Sequence, residues 1–130
     1  MLGDPNGNSL IAGGGGGGDE IEITSDGFGT TLLGGGPATD PNVIVMVFNG
    51  NGGNSKIYLS NKTATTGNAG TLSDLTGLEL IIGNAAPPLT ASGQGGRTRH
   101  FLIYDGALSN GDCGDILDGF GAECGITITP

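Results

Sequence analysis

Two cysteines, one histidine and 13 carboxylates are the side chains of this 130-residue chain with the widest chemical reach. A disulfide between Cys113 and Cys124 would imply an oxidising compartment. On a helix, however, their spacing puts them about 16 Å apart along the axis, beyond disulfide reach. The spacing therefore favours two reduced thiols buried as small hydrophobes, and a disulfide requires that helix to be absent. One histidine and two cysteines at these spacings match no standard zinc site. His100 follows Arg99 at the start of a strand-like run. A catalytic base needs a nucleophile or acid partner, and no residue nominates itself, so His100 reads as structural.

The carboxylates suggest two further chemistries. Glycoside hydrolysis needs two acids flanking one sugar bond, and Asp19-Glu20-Ile21-Glu22 is the one remote candidate. Its alternation puts Glu20 and Glu22 on the same solvated face, so no enzyme is expected. Calcium takes acidic and amide oxygens, and Asp26, Asp40, Asn49, Asn51 and Asn54 lie in turns that could share one rim. Those are also ordinary turn residues, which makes calcium the one cofactor worth testing and a weak candidate. Gly13–Gly18 lacks the Lys-Ser/Thr ending of a phosphate loop and is followed by Asp19-Glu20, which would repel phosphate. Asn61-Lys62-Thr63 fits a glycosylation sequon but, with no secretory leader visible at the start of the chain, reads as a turn.

Composition narrows the partners. The formal charge is −9 and the isoelectric point is near 4.1. The basic residues are Lys56, Lys62, Arg97 and Arg99, too few to clamp nucleic acid or to hold an anionic membrane surface. No apolar run approaches the ~20 residues of a membrane span. The 29 glycines follow no Gly-X-Y period, which excludes collagen.

The elements that must position these residues fall into three zones. Residues 1–18 end in Gly13–Gly18, which have maximal backbone freedom to lose; a flexible N-terminal arm is expected, with close packing against another backbone as the rival reading. Residues 19–104 are strand-like. Asp19–Thr24 alternates, and Val43–Phe48 is the continuous β-branched run of a strand covered on both faces. Asn49–Asn54 is a turn cluster leading to Lys56–Ser60, so the pair reads as a hairpin. Leu78–Ile82 and His100–Tyr104 read as further strands. From residue 105 the period changes: Cys113, Ile116, Leu117, Phe120 and Cys124 share one face of a helix. Ser109 or Asn110 is its cap, Asp112 lies in its first turn and Gly125 just past its end. Ile116, Leu117 and Phe120 are expected to anchor it to the sheet, Phe120 above all. Ile126–Thr129 is again strand-like.

Lys56-Ile57-Tyr58-Leu59-Ser60-Asn61, then Leu78–Asn84, then Phe101–Ser109 and the run Leu108–Ile126 together resemble the concanavalin A-like, laminin G-like jelly-roll family. The resemblance covers about residues 43–126 and rests on the order and spacing of the motifs. It implies an all-β antiparallel jelly-roll sandwich over residues 19–130 with a short C-terminal helix. Several family strands that precede the Val43 type of strand have little room in residues 19–42, which leaves open edges that a neighbouring copy would complete.

The functional expectation is a structural assembly protein on a virion surface: a phage capsid decoration, head-fibre or tail-associated component. Its partners would be copies of itself and other virion proteins, with Gly13, Gly14, Gly15, Gly16, Gly17 and Gly18 as the assembly arm. The alternative is an extracellular glycan-binding module of lectin type. Sugar sites favour free aromatics, and with no Trp, four Phe and two Tyr, most of them at positions expected to face the core, the balance tilts to assembly.

Overall fold

A computed structural model describes residues 41–49, 54–69 and 99–130 with their side chains, and residues 2–3, 9–14, 21–25, 30–34 and 79–80 as paired backbone strands. The elements are β1 (Leu2–Gly3), β2 (Ser9–Gly14), β3 (Ile21–Ser25), β4 (Thr30–Gly34), β5 (Ile44–Val47), β6 (Ser55–Leu59), β7 (Thr65–Gly67), β8 (Glu79–Leu80) and α1 (Asn110–Cys124). They form a five-stranded sheet in the order β4-β3-β2-β1-β8 and a three-stranded sheet in the order β5-β6-β7. Every strand pair is antiparallel.

The β5–β6 hairpin forms as its sequence predicts, with Val45 opposite Tyr58 and Met46 opposite Ile57. Side chains alternate across a strand, so this register sorts them into two faces. Val43, Val45, Val47 and Tyr58 are buried together with Cys113 and Leu117 of α1, and Ala64, Ile116, Phe120, Ile126 and Ile128 pack around them. Ile57 and Ala69 are buried on the other face, with Met46, Phe48 and Leu59 packed against them. The apolar run at β5 is thus covered on both sides save at Ile44, which is exposed. Strand β4 approaches β6 and β7.

The helix follows local rules closely. Ser109 caps it: the Ser109 side chain accepts from the Asp112 N–H while the Asp112 carboxylate accepts from the Ser109 N–H, a reciprocal capping box. Gly125 closes it at φ 69°, in the left-handed conformation that favours glycine. Beyond it the tail folds back, and the Thr129 N–H donates to the Ser60 carbonyl at 3.0 Å while the Lys62 N–H donates to the Thr129 carbonyl at 2.9 Å. The strand expected at Ile126–Thr129 is therefore reduced to one parallel bridge between Asn61 and Thr129.

Two expectations differ from the structure. Residues 2–3 and 9–14, read from their glycines as part of a flexible arm, lie in β1 and β2. Gly13 pairs with Glu22 and Gly14 with Ile21, so the pairing crosses the boundary drawn at residue 18. Strand pairing uses backbone groups that glycine possesses in full; Gly15–Gly18 lie outside the described residues. The run His100–Tyr104 forms no strand. Its β-forming side chains are necessary for a strand, but a ladder also needs a partner, and none of the described strands pairs with it.

Candidate functional site

Of the calcium candidates, Asp26, Asp40 and Asn51 lie outside the described residues. Asn49 is exposed, and its backbone N–H donates to the buried Ser55 Oγ at 3.1 Å, a contact that closes the hairpin end. Asn54 is exposed. Among the described residues no three His, Cys, Asp or Glu side chains gather around one point. The Asp19–Glu22 carboxylates are likewise not described as side chains.

Both thiols are free; Cys113 is buried as expected, whereas Cys124 is only half-buried. Cys113 meets β6 at a polar knot near the N-terminal end of α1. The Tyr58 hydroxyl donates to Asn110 Oδ1 at 3.0 Å, and Lys56 Nζ donates to the same oxygen at 2.5 Å. Burial pushes the Cys113 thiol above its usual range, against the smaller opposing pulls of its hydrogen bond to Tyr58 and the charge of Lys56. Burial likewise raises the Tyr58 phenol, helped by the neighbouring Cys113. A thiol held in its protonated form is a poor nucleophile, so this knot ties helix to sheet and generates no reactive sulfur.

His100 lies against the helix. Its Nε2 is 2.9 Å from Glu123 Oε1, and its ring stacks on Phe120 at 5.1 Å with an interplanar angle of 27°. An ion pair, Lys62 to Asp118 at 2.7 Å, joins the β6–β7 turn to the middle of α1. The anchor residues sort by depth. Leu117 is fully buried with Cys113 and Gly121, whereas Ile116 and Phe120 flank them at half-burial. Behind the helix end, Asn42, Ser60, Cys124 and Ile126 line part of a shallow open depression of about 370 Å³. Ser60 holds φ 46° there, kept in place because its Oγ accepts from the Val43 N–H and donates to Asn42 Oδ1, each at 3.0 Å.

The surface feature that sequence reasoning missed follows His100. Phe101, Leu102, Ile103 and Tyr104 are 51%, 55%, 61% and 48% exposed. Among the described residues, no backbone hydrogen bond outside the regular elements involves residues 99–108. Four consecutive large apolar side chains, flanked by Arg99 and Asp105, stand in solvent with their backbone unladdered. The signal was in the sequence as a strand-like run; what could not be read there was the lack of a pairing strand among the described residues. The arrangement can bind an apolar or extended partner. Set against known proteins, no family model, no curated protein and no solved structure matches this chain.

Proposed function

We propose that this chain is a non-enzymatic structural protein that assembles with copies of itself and with other proteins of a phage virion, at whose surface it sits, as a capsid decoration, head-fibre or tail-associated component. Its frame in this reading is a concanavalin A-like, laminin G-like jelly roll. The observation that carries the assembly reading is the uncovered run Phe101–Tyr104. Contiguous exposed apolar surface of this kind marks interaction sites, and an unladdered strand-forming segment invites pairing with another chain. The net charge of −9 suits a surface component, because like-charged particles stay apart in solution. Light scattering on the purified chain, with and without calcium, tests the reading. A stable multimer is expected, and a compact 12.7 kDa monomer would refute it.

One observation favours a second reading. Phe101 and Tyr104, expected to face a core, are each about half exposed and are the aromatic platform that a glycan would stack on. On that reading the monomer binds glycans on an array and Tyr104→Ala abolishes the signal.

A further inference from the structure

We infer that Arg99–Asp105 is the contact between two copies of this chain, each segment lying antiparallel to its counterpart about a twofold axis at Leu102. The inference rests on the assembly reading and gives it a surface and a register.

The segment is presented, not loose. At its start, His100 is fixed to α1 by Glu123 and by the Phe120 ring. At its end, Gly106 turns the chain at φ +103°, and Leu108 then packs into the core around Val45 and Leu117. Between these anchors the residues are Phe, Leu, Ile and Tyr, all fitted to a half-buried pleated surface. A segment already held in place loses less freedom on binding than a free tail would.

Charge selects the partner. In a twofold contact, residue i meets residue j and j meets i. With Leu102 on the axis, Arg99 of each copy faces Asp105 of the other, Phe101 faces Ile103, and His100 faces Tyr104. Both charged side chains are exposed, and neither belongs to the polar side-chain pairs formed among the described residues, Lys62–Asp118 and His100–Glu123. Two copies of a chain with charge −9 repel one another at most relative orientations. This alignment brings opposite charges together twice. The edge at β5 offers no such selection, since Val43–Phe48 carries no charge. A second copy in this register therefore fits better than that edge does.

The test is a charge swap on the full chain, read as solution mass by light scattering, with circular dichroism as the check on folding. Arg99→Asp and Asp105→Arg are each expected to halve the mass toward the 12.7 kDa of one chain. An equimolar mixture of the two variants should regain the wild-type mass, as should the Arg99→Asp/Asp105→Arg double variant. Leu102→Cys in a Cys124→Ser background should form a disulfide-linked dimer on oxidation. A wild-type multimer whose mass neither reversal changes would overturn the inference and leave assembly to another surface. So would single variants that dissociate but fail to recombine on mixing. A monomeric wild type would remove both this inference and the assembly reading, and glycan binding by that monomer would assign the same residues to a sugar.

Discussion

Gly121 lies where α1 meets the returning tail, and the space there is already filled. A methyl group at this position would stand 2.6 Å from Ile128 Cγ1 and 2.9 Å from the Ile126 carbonyl oxygen. A side-chain tip can swing aside, but the backbone oxygen of a residue whose N–H donates to the Gly121 carbonyl at 2.8 Å cannot do so freely. Gly114 and Gly119 are also helical, yet a methyl group there meets nothing within 4 Å. Gly114→Ala and Gly119→Ala are thus expected to stabilise the protein by about 0.8–1 kcal/mol each, the ordinary helix preference. Gly121→Ala should destabilise it by about 1–3 kcal/mol through overpacking. Urea unfolding of the three variants checks the sign at each position. Glycine's weakness as a helix former was legible in the sequence; the backbone approach that requires it at Gly121 depends on residues 126–128 and was not. The cysteines give a second residue-scale prediction. Native protein should expose one thiol to alkylation, Cys124, with Cys113 reacting only after denaturation, because burial both shields that sulfur and holds it protonated. Mass spectrometry after a short pulse of iodoacetamide reads this directly, and equal labelling of both would contradict it.

At the scale of the element, α1 was the most legible part of the chain, because caps act over a few neighbouring residues. The sequence offers Ser109 or Asn110 as its cap, and the structure selects Ser109, with Asp112 and Gly125 where they were expected. The capping box lowers the Asp112 pKa, first through the Ser109 hydroxyl and then through its backbone N–H. A carboxyl whose folded pKa is lowered contributes stability above its unfolded value, and that contribution is lost as pH falls through the folded value. Asp112→Asn should therefore lower stability at neutral pH and flatten the acid side of the stability curve below the usual carboxylate range, seen by thermal unfolding from pH 7 to pH 2. The packing face was legible only to within one helical position. Leu117, not Phe120, sits at the bottom of the groove with Cys113, because the turn of the helix about its axis is set by the sheet and not by the local pattern. Leu117→Ala is expected to cost about 2–5 kcal/mol, and Phe120→Ala less, since that ring is half-buried against His100. Equal losses for the two in denaturant titrations would return the anchor role to Phe120. The run at His100–Tyr104 shows the opposite limit. Side-chain types predict a strand there, yet strand formation is a property of two segments, and a single run of residues carries no information about its partner.

For the whole molecule, the arrangement of the two sheets decides what the N-terminal residues do. Among the described residues, one core is built from Val43, Val45, Val47, Tyr58, Cys113 and Leu117 with the flanking Ile116, Ile126 and Ile128, all after residue 42. The five-stranded sheet instead depends on residues 2–14, since β1 and β2 join β8 on one side to β3 on the other. Glycine richness reads first as flexibility when side chains are the guide, and that is why this dependence was legible only as the rival reading of close packing against another backbone: strand pairing uses backbone groups that glycine has in full. Deleting residues 1–18 should accordingly do more than remove an arm. It leaves β3 and β4 as a two-stranded hairpin, which is marginal in water by itself and keeps only its approach to β6 and β7, and it removes the strand beside β8. The core around α1 should persist, because none of its described members is lost. Hydrogen exchange on the truncated chain should then retain slow amides at Val45, Tyr58 and Leu117 while those of Ile21–Ser25 and Thr30–Gly34 become fast. Assembly through Arg99–Asp105 should survive this deletion, since that segment is anchored by α1 and not by the N-terminal strands. Unchanged protection throughout, accompanied by a fall in solution mass, would instead make residues 1–18 an accessory arm whose task is to hold a neighbouring copy.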